Sequence, residues 1–529
     1  MKSPAATASS ASGELSMPAK ILAFSVMCVG FFIALLDIQI VSASLQNIGG
    51  GLSASPDEIA WVQTSYLIAE IIVIPISGWL SRVMSTRWLF CFSAIGFTAT
   101  SLLCGWAWDI KSMIIFRALQ GFLGGSMIPT VYTTAFYYFQ SHQRVIAAAV
   151  IGALASLAPT LGPTIGGWIT DHYSWHWLFF INLVPGIFVA VLVPLLVRID
   201  KADFSVLRGA DYIGMILMAV SLGCLECTLE EGPRWNWFED NVILTTAWIS
   251  VVTGVAFLWR SLAFKNSFVD LRALKSLNFA LGCFFSFVTG IGMFATIYLT
   301  PLFLGRVRGY SALQIGEAIF STGIFQLLAI PFYTYLARRI DLRWLMLFGL
   351  TCFTLGMWEF TGITHDWSWR ELLLPQGLRG FAQQFTVAPI VTLTLGGLAP
   401  ARLKSAAGLF NLMRNLGGAI GIALCGTILN DRANLHFLRL AEHLNATNSA
   451  MEAMLQRVSA HFAALNGGDL VHGQASALKQ LWSLTWREAQ VQTYADAFLA
   501  IAACLAIATV MVPLLRKVVP PSAPPSDAH

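Results

Sequence analysis

Long apolar stretches, broken by short polar segments, recur along almost the whole chain. Read between charged or turn-rich breaks, they predict fourteen helices, at residues 21–45, 58–81, 88–108, 111–138, 144–170, 177–197, 212–229, 241–262, 276–304, 311–336, 343–363, 370–396, 404–429 and 495–515. Such runs match the roughly 20 residues a helix needs to cross a hydrocarbon core of about 30 Å. An all-α integral membrane protein is implied, with both termini on one side because the number of spans is even. Lys and Arg choose the side. Arg82, Arg87, Arg144, Arg260, Lys265, Arg338, Arg339 and Arg343 fall in or beside short loops on the side of the N-terminus, which the positive-inside rule makes cytoplasmic. Residues 1–20 read as a polar cytoplasmic tail. The apolar run after Lys20 is too long for a secretory signal and lacks a small-residue cleavage site, so it is expected to remain as the first span.

The pattern also repeats. A shift of 256 residues sets Trp79–Phe90 on Tyr335–Met346 with Leu, Arg, Arg, Trp and Leu in common, and a shift of 259 sets Leu119–Phe122 on Leu378–Phe381. Two homologous six-helix bundles follow: one over 21–199, the other over 273–429 plus a last helix at 495–516. Residues 200–272 supply two inserted helices between them. Duplication of this kind marks transporters that rock two bundles around a site near the midplane. The polar segment 430–494 interrupts the second bundle on the external side. In it Met451, Leu455, Val458, Phe462 and Leu465 recur at helical spacing, a stripe suited either to covering the bundle or to docking a partner. Residues 517–529 form a second cytoplasmic tail, Pro/Ser-rich and disordered from Pro520.

Composition agrees. The 529 residues are 56% hydrophobic and 11% charged, against about 25% charged in soluble domains, which excludes an ordinary soluble enzyme. A net charge of +4 without a basic block gives no reason to expect nucleic-acid binding. The nine cysteines lie in apolar stretches and imply no disulfide framework. Cys224 and Cys227 have redox-motif spacing but sit in an apolar helix, where buried thiols are the simpler reading. His172 and His176 lack further ligands, so no metal site is expected. No span contains a histidine, which argues against haem. No phosphate-binding loop is present, so ATP does not drive the protein directly. No cofactor is expected.

Charges inside spans are costly and therefore point to function. Five carboxylates qualify: Asp37, Glu70, Glu226, Glu317 and Glu359; Arg117, Arg379 and Arg414 are the intramembrane cations. Glu70 lies near the midplane of its span and is a candidate for proton coupling. Glu317 and Glu359 lie nearer the external ends, and Glu226 falls in an inserted helix, away from the expected pore. Gln63, Tyr66, Gln120, Gln326 and Gln383 are candidates for lining a substrate cavity. Gly152, Gly162, Pro163, Gly166 and Gly167 crowd the fifth span, where small residues allow close approach of helix backbones.

Six segments carry a resemblance: Leu36–Leu45 (LDIQIVSASL), Gly78–Arg82 (GWLSR), Arg117–Gly121 (RALQG), Leu161–Gly167 (LGPTIGG), Trp175–Asn182 (WHWLFFIN) and Val269–Phe279 (VDLRALKSLNF). Together they resemble the fourteen-span drug/proton antiporters of the major facilitator superfamily, EmrB/QacA type, over nearly everything from Leu36 to Pro513. The resemblance implies that Asp37 is the first-span coupling carboxylate, that Arg117 takes part in proton transfer, and that Gly152, Gly162, Pro163, Gly166 and Gly167 form the antiporter motif. Arg82 stands where the superfamily usually has an acid, and Ser85 where it has a glycine, which puts that loop's charge relay in question. The implied activity is proton-driven export of hydrophobic or amphipathic toxic compounds by alternating access across a bacterial inner membrane. Implied partners are a periplasmic adaptor of the EmrA type and an outer-membrane channel of the TolC type. Transport of one defined metabolite is the alternative. A non-transporting sensor or membrane enzyme is disfavoured, since no catalytic constellation is present.

Overall fold

A backbone in lipid can satisfy its hydrogen bonds only internally, so the apolar runs fold as helices, and polar caps fix where they begin. The Ser55 hydroxyl accepts from the Glu58 amide while the Glu58 carboxylate accepts from the Ser55 amide; the same reciprocal box joins Asp109 with Ser112, Ser311 with Gln314, and Ser368 with Glu371. Hydrogen bonds from Ser112 hold the Asp109 carboxyl below its ordinary value. The computed structural model describes residues 16–140, 142–264, 268–269, 271–398, 400–444, 449–465, 467 and 469–517. Most of the expected N-terminal tail, Lys265, and the expected tail from 518 onward lie outside the described residues.

The first bundle comprises α1 (Met17–Ala43), α2 (Pro56–Met84), α3 (Thr86–Gly105), α4 (Ile110–Tyr138, broken at Ser126), α5 (His142–His172) and α6 (Trp177–Leu196, broken at Ile181 and Asn182). The inserted pair is α7 (Tyr212–Glu231) and α8 (Asn241–Ala263). The second bundle comprises α9 (Leu277–Arg306), α10 (Ala312–Leu336), α11 (Leu342–Glu359), α12 (Trp369–Leu395), α13 (Pro400–Glu442) and α14 (Leu470–Met511). Thirteen helices among the described residues are long and apolar enough to cross a bilayer. The fourteenth, α12, falls short because Glu371, Gln376, Arg379, Gln383 and Gln384 lower its hydropathy; it nevertheless packs among α5, α10 and α11.

The duplication is visible in the packing. In the first bundle α1 lies against α5 and α6, α2 against α4, and α3 against α4 and α6; in the second, α9 lies against α13 and α14, α10 against α12, and α11 against α12 and α14. Each pairing recurs eight helices later.

The bundles meet along two seams. On one, α5 faces α10 and α12: Gly316 sits against Thr164, Gly323 against Leu157 and Thr160, and Val145 and Ala149 pack with Tyr333 and Phe385. On the other, α2 faces α13. At the near face, where α1 begins, the Lys404 ammonium donates to the Ser81 carbonyl (3.0 Å) and to Asp200 (2.6 Å), and Asp200 also accepts from the Thr86 amide. The far half of this seam is occupied by α7, which packs on both α2 and α13. Its connection to α8 is tied to α13 by a hydrogen bond from the Trp237 indole to Thr427 (2.9 Å) and by one from Asn430 to the Pro233 carbonyl.

The segment 430–494 consists largely of continuations of α13 and α14 beyond the expected spans. Between them the helix Ser449–Leu465 folds back along α14. Met451, Leu455 and Val458 of the sequence stripe meet Ala477 and Leu481 of α14, so much of that stripe is covered from within the chain. Trp482 and Trp486 stack on each other, and Phe437 of α13 packs against both at steep angles. All nine cysteines are free.

Candidate functional site

Small residues let α4 approach α2 and α3 closely: Gly121 lies against the Tyr66 carbonyl and Gly125 against Val73 of α2, and Gly124 against Phe97 of α3. That approach carries Arg117 into the centre of the first bundle, where its guanidinium lies 4.3 Å from the Tyr66 ring centroid. There it donates to the Asp37 carboxylate at 2.6 Å, and both side chains are 0% exposed. The break in α6 turns Asn182 inward, and its amide donates to the other Asp37 oxygen at 2.6 Å, which also accepts from Gln120 at 3.2 Å. Gln120 and Asn182 both donate to the Ser101 hydroxyl at 2.9 Å. Arg117 further donates to Gln120 (2.7 Å) and to the Val62 carbonyl (3.2 Å), leaving Nη2 with no partner among the described residues. Five helices thus converge on one neutralised pair. Loss of either partner would strand the other charge, a loss typically worth about 3–5 kcal/mol in a buried pair.

The second bundle carries only half of this arrangement. Arg379 donates to the Thr322 hydroxyl at 2.9 Å, which in turn donates to Gln376 at 2.6 Å. Among the described residues no carboxylate forms an ion pair with Arg379, and its Nε and Nη1 have no partner. The equivalent of Asp37 at a shift of 256 is Met293, a buried residue. The acid that would complete the constellation is therefore present in one copy of the repeat only.

Glu70 is 3% exposed and belongs to a different site. It faces the α2–α13 seam, where Asn415 donates to it at 3.4 Å. Nearby on α13, Arg414 donates to the Tyr132 hydroxyl of α4 at 2.7 Å, joining the two bundles. Glu70 shares a cavity of about 40 Å3 with Glu226 and Glu230 of α7, walled by Leu35, Ile38 and Phe294. This corrects the expectation that Glu226 lies apart from the working core. Because α7 wedges into the seam, Glu226 is 3% exposed and adjoins the Glu70 cavity. Glu317 and Glu359 are exposed.

The five cavity candidates do not meet in one place. Tyr66 and Gln120 belong to the Asp37 network, and Gln63 is half-buried on α2 with its Oε1 unpartnered among the described residues. Gln326 donates weakly to the Gly152 and Ala153 carbonyls across the α5–α10 seam at 3.4 Å. Gln383 is buried on α12 and its Oε1 has no partner among the described residues, while the adjacent Gln384, not singled out from sequence, donates to the Ala149 carbonyl at 3.2 Å. A larger, apolar groove of about 610 Å3 lies between α1 and α5, lined by Phe24, Cys28, Phe139, Ile146 and Val150 among others, and none of the five candidates borders it. The glycine-rich face of α5 meets both bundles: Gly162 lies against Gln39 of α1, a Cβ at Gly166 would stand 2.9 Å from the Ile40 carbonyl oxygen, and Gly152 faces Val387 of α12. Pro163 and Gly167 are buried in the same helix.

Comparison with known proteins adds a family. The family model described as Major Facilitator Superfamily matches residues 27–422 and again 282–522. The chain is 37% identical to the colistin resistance protein EmrB of Acinetobacter baumannii over 83% of this chain and 86% of that one. It is 31% identical to the multidrug export protein EmrB of Escherichia coli K12, covering 84% and 86% respectively. The solved structure of the proton:xylose symporter XylE superposes with a TM-score of 0.58 over 95% of this chain and 97% of that one, at 12% identity, which speaks for the fold alone.

Proposed function

The chain belongs to the Major Facilitator Superfamily, and we propose that it exports hydrophobic or amphipathic toxic compounds across a bacterial inner membrane in exchange for protons. The near face, with Lys404, Asp200, the start of α1 and the end of α14, is then cytoplasmic, and the helical segment beyond α13 is periplasmic. The observation that carries proton coupling is the Asp37–Arg117 pair, a buried carboxylate and guanidinium with Gln120 and Asn182 around them. Protonation of Asp37 would release Arg117 from its only carboxylate partner among the described residues and leave a buried cation seeking another, which gives the bundle two electrostatic states to exchange. One proton descending 100 mV supplies about 2.3 kcal/mol, enough to sustain more than a tenfold gradient of a neutral compound at one-to-one exchange. Relatives named for multidrug export and colistin resistance support the substrate class.

The same reading makes this chain the pump of a tripartite system, with an EmrA-type adaptor docking on the periplasmic helices and a TolC-type channel beyond. Reconstitution tests the core of the reading. Liposomes containing the full chain should move a lipophilic dye such as ethidium against its gradient when a pH gradient is imposed, and stop when a protonophore collapses it. Transport indifferent to the pH gradient would refute proton exchange.

A further inference from the structure

The inserted helices invite the view that they are an appendage beside a twelve-helix machine. Their placement contradicts that. The helix α7 fills the far half of the α2–α13 seam, and its connection to α8 is bonded to α13 at Thr427 and Asn430. Glu226 and Glu230 are four residues apart, one above the other on a single face of α7, and both line the cavity that holds Glu70. One Glu226 carboxylate oxygen is fully buried with no hydrogen-bond partner among the described residues. A carboxylate in such a place is costly unless something polar visits it. The void of about 40 Å3 exceeds the roughly 10–15 Å3 that a water requires.

The surroundings offer no fixed counter-charge. Among the described residues no Lys, Arg or His forms an ion pair with Glu70, Glu226 or Glu230. The cations whose field reaches Glu70 are Arg414 of α13 and Arg117 of α4. Arg260, the charged residue of α8, is held by Asp211 at the other end of the pair. At the far end of α7, Glu231 accepts from Thr64 at 3.1 Å and lies 3.9 Å from Arg234.

We propose that α7 provides the proton path between the far face and Glu70, with Glu230 and Glu226 as its two steps. This rests on the proton-exchange reading above. A proton taken from water at the far face by the Glu230 carboxylate passes to Glu226 and, through water in the cavity, to Glu70; each transfer breaks one O–H bond and forms another, and no other reactant is consumed. The inserted pair is thus part of the coupling machinery, with Glu226 as the step next to Glu70.

Two measurements on the full chain test this. In pH-difference infrared spectra of the purified protein, Glu226→Gln should remove a protonated-carboxyl band that Glu226→Asp retains at a shifted frequency. In liposomes, Glu226→Gln should slow pH-driven ethidium export about tenfold or more and flatten its dependence on far-side pH, while exchange of ethidium without a pH gradient continues and Glu226→Asp restores coupling. An unchanged spectrum, or parental pH dependence in Glu226→Gln, would overturn the proposal, as would loss of both driven export and exchange that Asp does not rescue. Parental protein that ignores the pH gradient would instead overturn proton exchange itself.

Discussion

Gly78 of α2 and Lys404 of α13 are in backbone contact: a Cβ on Gly78 would stand 2.7 Å from the Lys404 carbonyl oxygen. The contact lies beside the Lys404–Asp200 ion pair, so one short stretch of seam holds the near face shut by packing and by charge together. Backbone atoms cannot yield as a flexible side chain can. Gly78→Val is expected to hold the seam apart at this face, lengthening the distance between spin labels at positions 88 and 402 in pulsed resonance measurements and stopping uphill export. Label distances equal to those of the parent would show that the seam closes without this contact.

Ser85, in the turn between α2 and α3, has φ +71° and ψ 153°, a region that L residues avoid. Its hydroxyl returns little, accepting from the Trp88 amide at 3.4 Å. Ser85→Gly should therefore stabilise the folded protein by about 1 kcal/mol, read as a higher midpoint of thermal unfolding in detergent. A lower midpoint would mean that the serine hydroxyl outweighs the strain.

Asp37→Asn keeps shape, removes titration and leaves Arg117 without its anion. The single variant should lose pH-driven export and also unfold more readily, by about 3–5 kcal/mol. The double variant Asp37→Asn/Arg117→Gln separates the two effects: stability should largely return, because no buried charge is left alone, whereas export should not. Coupled export by the double variant at the parental rate would dismiss the pair as merely structural.

These sites were unequally legible. Asp37, Glu70 and Arg117 stood out because a charge in an apolar run is rare, and the division into two homologous bundles was legible in the duplicated segments, although which helices pair within each bundle was not. Asn182 and Ser101, which complete the Asp37 network, are small neutral residues of a kind found throughout spans, and only the break in α6 turns Asn182 inward. Glu226 was misplaced for a different reason: a hydropathy pattern says that a helix crosses the bilayer, not which seam it enters. The helix at Ser449–Leu465 was legible in its apolar stripe, but the continuations of α13 and α14 on either side of it were hidden, because a continuing helix loses its apolar signal on leaving lipid while its backbone hydrogen bonds carry on unchanged.

Gly166 meets the Ile40 carbonyl across the α1–α5 contact, where a Cβ would stand 2.9 Å from the oxygen. Gly166→Leu should push α1 and α5 apart at the level just beyond Asp37, and exchange should either stop or become leaky to protons. Liposomes loaded with a pH-sensitive dye report both results. Tight, coupled exchange by the variant would show that α1 and α5 do not need this close approach.

The last prediction concerns the far-face helices. Sequence periodicity offered the stripe from Met451 to Leu465 either as a cover for the bundle or as a docking surface; Leu455 faces Ala477 and Leu481 of α14, and the apolar tip of the pair is the most open surface, with Leu465 68% exposed and Val471 77%. Burying two such side chains in a partner is worth about 1.5–3 kcal/mol each, so Leu465→Glu with Val471→Glu should weaken capture of a coexpressed EmrA-type adaptor by about a hundredfold or more while leaving thermal stability and liposome transport unchanged. Leu455→Glu should do the reverse in order of cause, loosening the helix pair first and losing the adaptor as a consequence. Full adaptor capture by the tip variant would place docking elsewhere on the far face.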